Sequence, residues 1–150
     1  MISVKEKLFS LCVESVTKRI DAIRSLMAVT QASASEETKS SAGDKYETGR
    51  AMAQLEIEKL NEQLAEVLKA RAILEQINPT LHRTSIQPGS IAITSQGNFF
   101  ISISAGPFQV DEKSYYPISA ASPIGQALAG KKAGDSYTFR GKAARVIEVS

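Results

Sequence analysis

The sequence predicts an α+β protein in which a long antiparallel helical hairpin precedes a small antiparallel sheet domain carrying one short helix. Three observations predict it. Apolar residues recur at steps of three and four through the first half of the chain, the period turns to alternation beyond Gly89, and a Pro- and Gly-containing stretch separates the two regimes.

In the first helix Phe9, Val13, Val16, Ile20, Ile23 and Met27 keep an apolar seam on one side. In the second, Ile57, Leu60, Leu64, Val67 and Leu74 do the same, with the charged Arg71 at one seam position. Folding the two antiparallel about roughly residue 40 makes Ile23 face Ile57, Ile20 face Leu60, Val16 face Leu64 and Val13 face Val67. At 1.5 Å per residue the second helix runs on the order of 50 Å. That is longer than a compact domain of this size needs, so the hairpin reads as a projecting rod with residues 39–53 at its far tip.

The first helix starts near Ser3 and runs towards Thr30, after which residues 31–43 are small and polar but still compatible with helix. Gly43 is the expected breaker. Asp44 then stands where an N-cap would, Glu47 occupies the capping-box position three residues on, and Met52 opens the next apolar pattern. The second helix ends at Ile77, because Asn78 precedes Pro79, whose ring disfavours helical backbone in the residue before it. The expected divisions are residues 1–78 for the hairpin with its tip near 36–50, 79–89 for a linker, and 90–150 for the C-terminal domain.

Beyond the linker, strands are expected around residues 91–94, 99–104 and 114–118, with Gln96-Gly97-Asn98 and Ala105-Gly106-Pro107 as turns. Ser122 and Pro123 open a short helix as cap and first helical residue, and Gly130 closes it. Tyr137 and Phe139 alternate on a further strand, Gly141-Lys142 makes a tight hairpin loop, and residues 146–149 form the last strand. About 60 residues bury only a modest core, so support from the base of the rod is expected.

Composition excludes several function classes. The chain has 150 residues, 43% apolar and 23% charged, as ordinary folded chains do. A formal net charge of +2 is too small to argue for nucleic-acid binding. No apolar run approaches the roughly 20 residues that span a bilayer, and no cleavable leader is evident, so a cytoplasmic monomer without membrane contact is expected. One cysteine, Cys12, excludes an intramolecular disulfide framework and reads as a buried thiol. His82, the only histidine, reads as a solvated linker residue.

Asp44 and Glu47 are the one closely spaced carboxylate pair placed to act on a partner. Oxygen ligands at the end of a rod suit a hard cation such as Mg²⁺; the same two residues also suffice to start a helix. Lys131, Lys132, Arg140, Lys142 and Arg145 give the C-terminal domain a basic excess, read as a solvated surface because no aromatic residues interleave. Tyr115 and Tyr116 read as strand core and cover. No phosphate-binding loop or nucleophile constellation is present, so the chain does not read as an enzyme by itself.

Gly43-Asp44-Lys45-Tyr46-Glu47 and the segment Ser122-Pro123-Ile124-Gly125-Gln126-Ala127-Leu128-Ala129-Gly130-Lys131-Lys132-Ala133-Gly134-Asp135 together resemble the Gre family of bacterial transcript-cleavage factors, over the whole chain and in the family's order. The second segment is similar to the family signature S-P-I-x-x-A-L-x-G-K-x-x-G-D at nearly every fixed position. The family tip reads G-D-L-x-E-N-A-E-Y, of which Gly43, Asp44 and Glu47 match, while Lys45, Thr48, Gly49, Arg50 and Ala51 depart from it. The resemblance implies a coiled-coil hairpin followed by a domain with the fold of FK506-binding proteins. It further implies an accessory factor that docks on RNA polymerase through Ser122, Pro123, Ile124, Leu128, Gly130, Lys131, Gly134 and Asp135. The rod would enter the secondary channel, and Asp44 and Glu47 would help hold an Mg²⁺ shared with the polymerase, close to the RNA 3′ end, for cleavage of backtracked RNA. Alternatives are a secondary-channel regulator without cleavage activity, a prolyl isomerase of the FK506-binding type, and a coiled-coil adaptor.

Overall fold

The computed structural model describes residues 2–40 and 44–150, with the side chains of residues 36–46 left aside. Two compact units form: Val16–Lys69, and Met1–Ser15 together with Ala70–Ser150. Two long helices, α1 (Val4–Ser40) and α2 (Asp44–Glu75), are followed by strands β1 (Ile91–Thr94), β2 (Gly97–Ser102), β3 (Phe108–Val110) and β4 (Lys113–Ser119), helix α3 (Pro123–Leu128), and strands β5 (Ser136–Phe139) and β6 (Lys142–Val149). The architecture is the expected α+β one, a helical hairpin followed by a small sheet domain.

Helix α1 begins where its sequence provides a capping box. The Glu6 amide donates to Ser3 Oγ at 3.1 Å, and Ser3 Oγ donates to the Glu6 carboxylate at 3.2 Å. Within the hairpin unit Val16, Ile20 and Ile23 of α1 and Leu60 and Val67 of α2 are buried. Ile57 and Leu64 are half-buried. Two helices alone leave such residues dry only by packing these faces together, so the seam from Val16 upward is the one the periodicity predicts.

Two details of the seam differ from expectation. Val13 is 40% exposed and Phe9 only half-buried, whereas Leu8 and Cys12 are fully buried. Below Val16 the helix packs on the sheet, with Cys12 Sγ 4.0 Å from Ser102 Oγ of β2. The buried stripe therefore follows a different neighbour. The pairing register is also displaced, because α1 ends at Ser40 and α2 begins at Asp44, which centres the turn beyond residue 40. Val67 lines a groove with Arg19, Ala22 and Ile23, rather than facing Val13. The expected breaker Gly43 lies outside the described residues. Arg71, at its seam position, is exposed and reaches Glu75 at 3.7 Å.

The sheet has six strands in the order β3-β4-β2-β1-β6-β5. All neighbours are antiparallel except β2 and β4, whose parallel pairing corrects the purely antiparallel expectation. β3 is a further departure: three residues on the sheet edge are too few for alternation to be read. Its hairpin to β4 turns through Asp111 and Glu112, both at positive φ. The β5–β6 loop is Arg140-Gly141, again both at positive φ, with Lys142 already paired to Phe139. The loop thus sits one residue earlier than predicted, and its conformation is that of a type I′ turn.

One core lies under α3, built from Ile86, Ala92, Ile101, Leu128, Tyr137, Ala144, Val146 and Val149. The segment 79–89 contributes to it. Ile86 is 2% exposed, its amide donates to the Lys131 carbonyl at 2.8 Å, and its carbonyl accepts from the Gly130 amide at 2.8 Å.

Candidate functional site

The tip acids stand on the first turn of α2. Asp44 is its first residue, and Glu47, three residues on, is exposed. A separation of three residues puts both on neighbouring positions of one helix side. The Asp44 side chain, and with it the expected capping geometry, lies outside the described residues. Arg50 follows Glu47 by another three residues and is exposed, so a cation occupies the next position on that side. Among the described residues no three of His, Cys, Asp and Glu gather as a metal-binding group.

The segment from Ser122 to Asp135 is described in full, and its residues are engaged by the fold. Ser122 caps α3: its Oγ accepts from the Gly125 amide at 3.1 Å and donates to the Ser119 carbonyl at 2.6 Å. Pro123 occupies the first helical position, where a missing amide hydrogen costs nothing. Ile124 packs half-buried against the core, and Leu128 is fully buried in it. Gly125 sits against backbone, since a Cβ there would fall 2.2 Å from the Ser119 carbonyl oxygen. Gly130 and Gly134 adopt φ of 75° and 93°, a region open mainly to glycine.

Lys131 and Asp135 complete the turn. The Lys131 amide donates to the Leu128 carbonyl at 3.0 Å, and the Asp135 carboxylate accepts from the Lys132 amide at 2.8 Å. The Val146 amide donates to the Asp135 carbonyl, tying the turn to β6. Pro123, Gly130, Gly134 and Asp135 are nonetheless exposed, so they also form surface. Lys132, Arg140, Lys142 and Arg145 are exposed as well, with the Arg140 guanidinium 5.1 Å from the Phe139 ring centroid.

Tyr115 is buried and Tyr116 is 45% exposed, tilted against Phe99 with ring centroids 6.3 Å apart. Burial, with the nearby charges of Asp111 and Glu148, pushes the Tyr115 phenol above its usual value. His82 is exposed. A residue the sequence reading passed over is Lys5, which is 6% exposed and donates from Nζ to the Leu81 carbonyl at 2.8 Å. The signal was present: Lys5, Leu8, Cys12 and Val16 fall at steps of three and four along one face.

Among the described residues no helix is long and apolar enough to cross a membrane. No protein-family model matches this chain, and no curated protein matches it in sequence. Among solved structures, the crystal structure of GreA factor homolog 1 (Gfh1) protein of Thermus thermophilus is similar to it, at 21% sequence identity with a TM-score of 0.35, covering 91% of this chain and 93% of that one.

Proposed function

We propose that the chain is a cytoplasmic regulator of transcript elongation that binds RNA polymerase through its sheet domain and acts through Asp44 and Glu47, as an accessory factor without catalysis of its own. The observation that carries this reading is the joint occurrence of two features. An acidic pair opens the second helix of a long hairpin, and the segment from Ser122 to Asp135 follows it in a separate sheet domain.

The residues fit an Mg²⁺ only as a shared ion. Two carboxylates supply hard oxygen donors, and the remaining ligands must come from the partner and from water. When bound, such an ion offsets phosphate charge and lowers the pKa of a bound water. The part played by this chain is to carry the pair: Asp44 and Glu47 stand three residues apart on the first turn of a helix about 48 Å long. Arg50 beside Glu47 lowers the negative charge available to a cation, which favours a second reading, occupancy of the polymerase channel without cleavage.

The test is to add the protein to a stalled, backtracked elongation complex from its own source and follow the RNA length. Shortened RNA with the natural sequence is expected. Its loss in Asp44→Asn and Glu47→Gln, with polymerase binding retained and partial recovery at raised Mg²⁺, is expected as well. Binding without shortening at any Mg²⁺ concentration selects the second reading, and absence of binding rejects both.

A further inference from the structure

We propose that the hairpin β5–β6 is a binding surface for the phosphate backbone of a nucleic-acid duplex, with Arg140, Lys142 and Arg145 as its principal cations. The net charge of +2 for the whole chain hides a local excess: residues 132–147 hold Lys132, Arg140, Lys142 and Arg145 against the single carboxylate of Asp135. That carboxylate accepts from the Lys132 amide at 2.8 Å and is tied into its own turn. All four cations are exposed, and among the described residues no ion pair engages any of them. Like charges kept together repel, and an anionic partner removes that cost.

The geometry of the hairpin suits a duplex. Pairing of β1 with β6 stops at Thr94 and Val146, so residues 138–143 form a two-stranded ribbon beyond it, closed by the Arg140-Gly141 turn. A two-stranded ribbon is what the major groove, about 12 Å wide, admits. β5 is also the outer strand of the sheet. Phe139 pairs with Lys142 across the turn, hydrogen bonding to β6 alternates from there, and the Ser136 and Thr138 amides therefore point outward. Arg145 obeys the same alternation, since its amide and carbonyl bond Ser95 instead. Ser136 stands opposite Arg145, and both Ser136 and Thr138 are exposed, so hydroxyls, outward amides and a guanidinium share this edge. From Ser136 to Phe139 the edge runs about 10 Å, with Lys132 before its start and Arg140 and Lys142 at its end. A duplex strand presents a phosphate about every 3.4 Å along its axis, so several fall within reach.

The same residues favour phosphates over bases, and nucleic acid over an acidic protein. Surfaces for single strands stack bases on exposed aromatic rings. Here Tyr137 is buried, and Phe139 is half-buried with the Arg140 guanidinium over its ring. A protein partner is held chiefly by aromatic and apolar anchors, whereas Ile147 is the one exposed large apolar side chain of this hairpin.

The experiment is fluorescence anisotropy of a labelled duplex of about 20 base pairs, titrated with the full-length protein at about 50 mM and about 200 mM salt. Saturable binding at the lower salt is expected, with a slope of log affinity against log salt of about −3, as three or four phosphate contacts give. Arg140→Gln combined with Lys142→Gln should weaken binding about tenfold or more and make the slope shallower by about 2. Arg24→Gln combined with Lys59→Gln removes the same charge from exposed positions on α1 and α2, and should leave affinity and slope as they are. Absence of saturable binding at the lower salt overturns the proposal, and so does an equal loss from both pairs of substitutions. Displacement of the duplex by poly-glutamate at equal charge overturns it too, by giving the surface to an acidic protein. No polymerase enters this measurement, so its outcome is separate from that of the tip acids.

Discussion

The segment from Ser122 to Asp135 and the tip acids are the two motifs of this chain, and the fold uses them differently. In the first, the cap at Ser122, the close approach at Gly125, the buried Leu128 and the turn held by Asp135 each have a structural cause. In the second, Glu47 is an exposed carboxylate on a first helical turn. A motif whose residues are consumed by packing and capping specifies a fold, whatever else its surface does. Functional weight shifts to residues that the fold does not require, and the difference can be measured as stability.

The largest effect should come from Gly125→Ala. Its Cβ would lie 2.2 Å from the Ser119 carbonyl oxygen and 2.9 Å from that of Ala120, both backbone atoms that move only with the β4–α3 connection. A loss of about 3 kcal/mol or more is expected, roughly 10 °C in melting temperature for a chain of this length. A variant that melts like the natural protein would show that the connection relaxes freely and that the fold does not require a glycine here.

Next comes the seam, where the contrast lies within one helix. Val16 is 1% exposed and Val13 is 40% exposed. Val16→Ala should cost about 2 kcal/mol and Val13→Ala less than about 1 kcal/mol in denaturant unfolding. Equal costs would restore the register drawn from periodicity alone.

Cys12 gives an effect of similar or smaller size that appears only in alkali. Burial raises its thiol pKa from 9.0 to about 11, against a smaller opposing effect of the Ser102 hydroxyl. Between those values the folded state keeps a proton that the unfolded state has lost, so stability falls as pH rises through that window, by an amount on the order of 2 kcal/mol at its upper end. Lys5 acts in the opposite sense, since its lowered pKa makes stability rise with pH as the buried ammonium loses its proton. Comparing Cys12→Ala with the natural protein at about pH 8 and about pH 10.5 isolates the thiol: the variant should lose less stability across the interval. An identical loss in both proteins would remove the thiol as the cause.

How much of this was legible in the sequence depends on how many neighbours decide a residue's place. Val16, Ile20, Ile23, Leu60 and Val67 were readable because one period and one partner helix determine them. The shift to Leu8 and Cys12 was not, because there the partner is a sheet more than 80 residues away in sequence, as the 90-residue separation of Cys12 and Ser102 illustrates. The strand β1 was readable as alternation, whereas β3 has three residues and a turn through non-glycine Asp111 and Glu112, which gives no glycine signal. The parallel β2–β4 pairing is a fact of topology that no local pattern encodes. Of the candidate sites, the acids and the signature segment were legible as motifs. The burial of Lys5 was not, because its partner, the Leu81 carbonyl, lies 76 residues away in sequence.

The smallest effect is the one that decides how the tip is understood. If Glu47 serves a partner, Glu47→Gln should change stability by less than about 0.5 kcal/mol, because a solvated carboxylate on a surface turn contributes little beyond its interaction with the helix dipole. If it serves as the reciprocal half of a capping box, the glutamine carbonyl still accepts from the same amide, so the informative partner is Glu47→Ala, which should then cost about 1 kcal/mol. The two substitutions together separate the cases by thermal or denaturant unfolding. Both neutral leaves the carboxylate without a structural task and sharpens the contrast with Gly125. A costly alanine beside a neutral glutamine gives Glu47 a structural task as well, and the contrast between the two motifs then narrows to the charge alone.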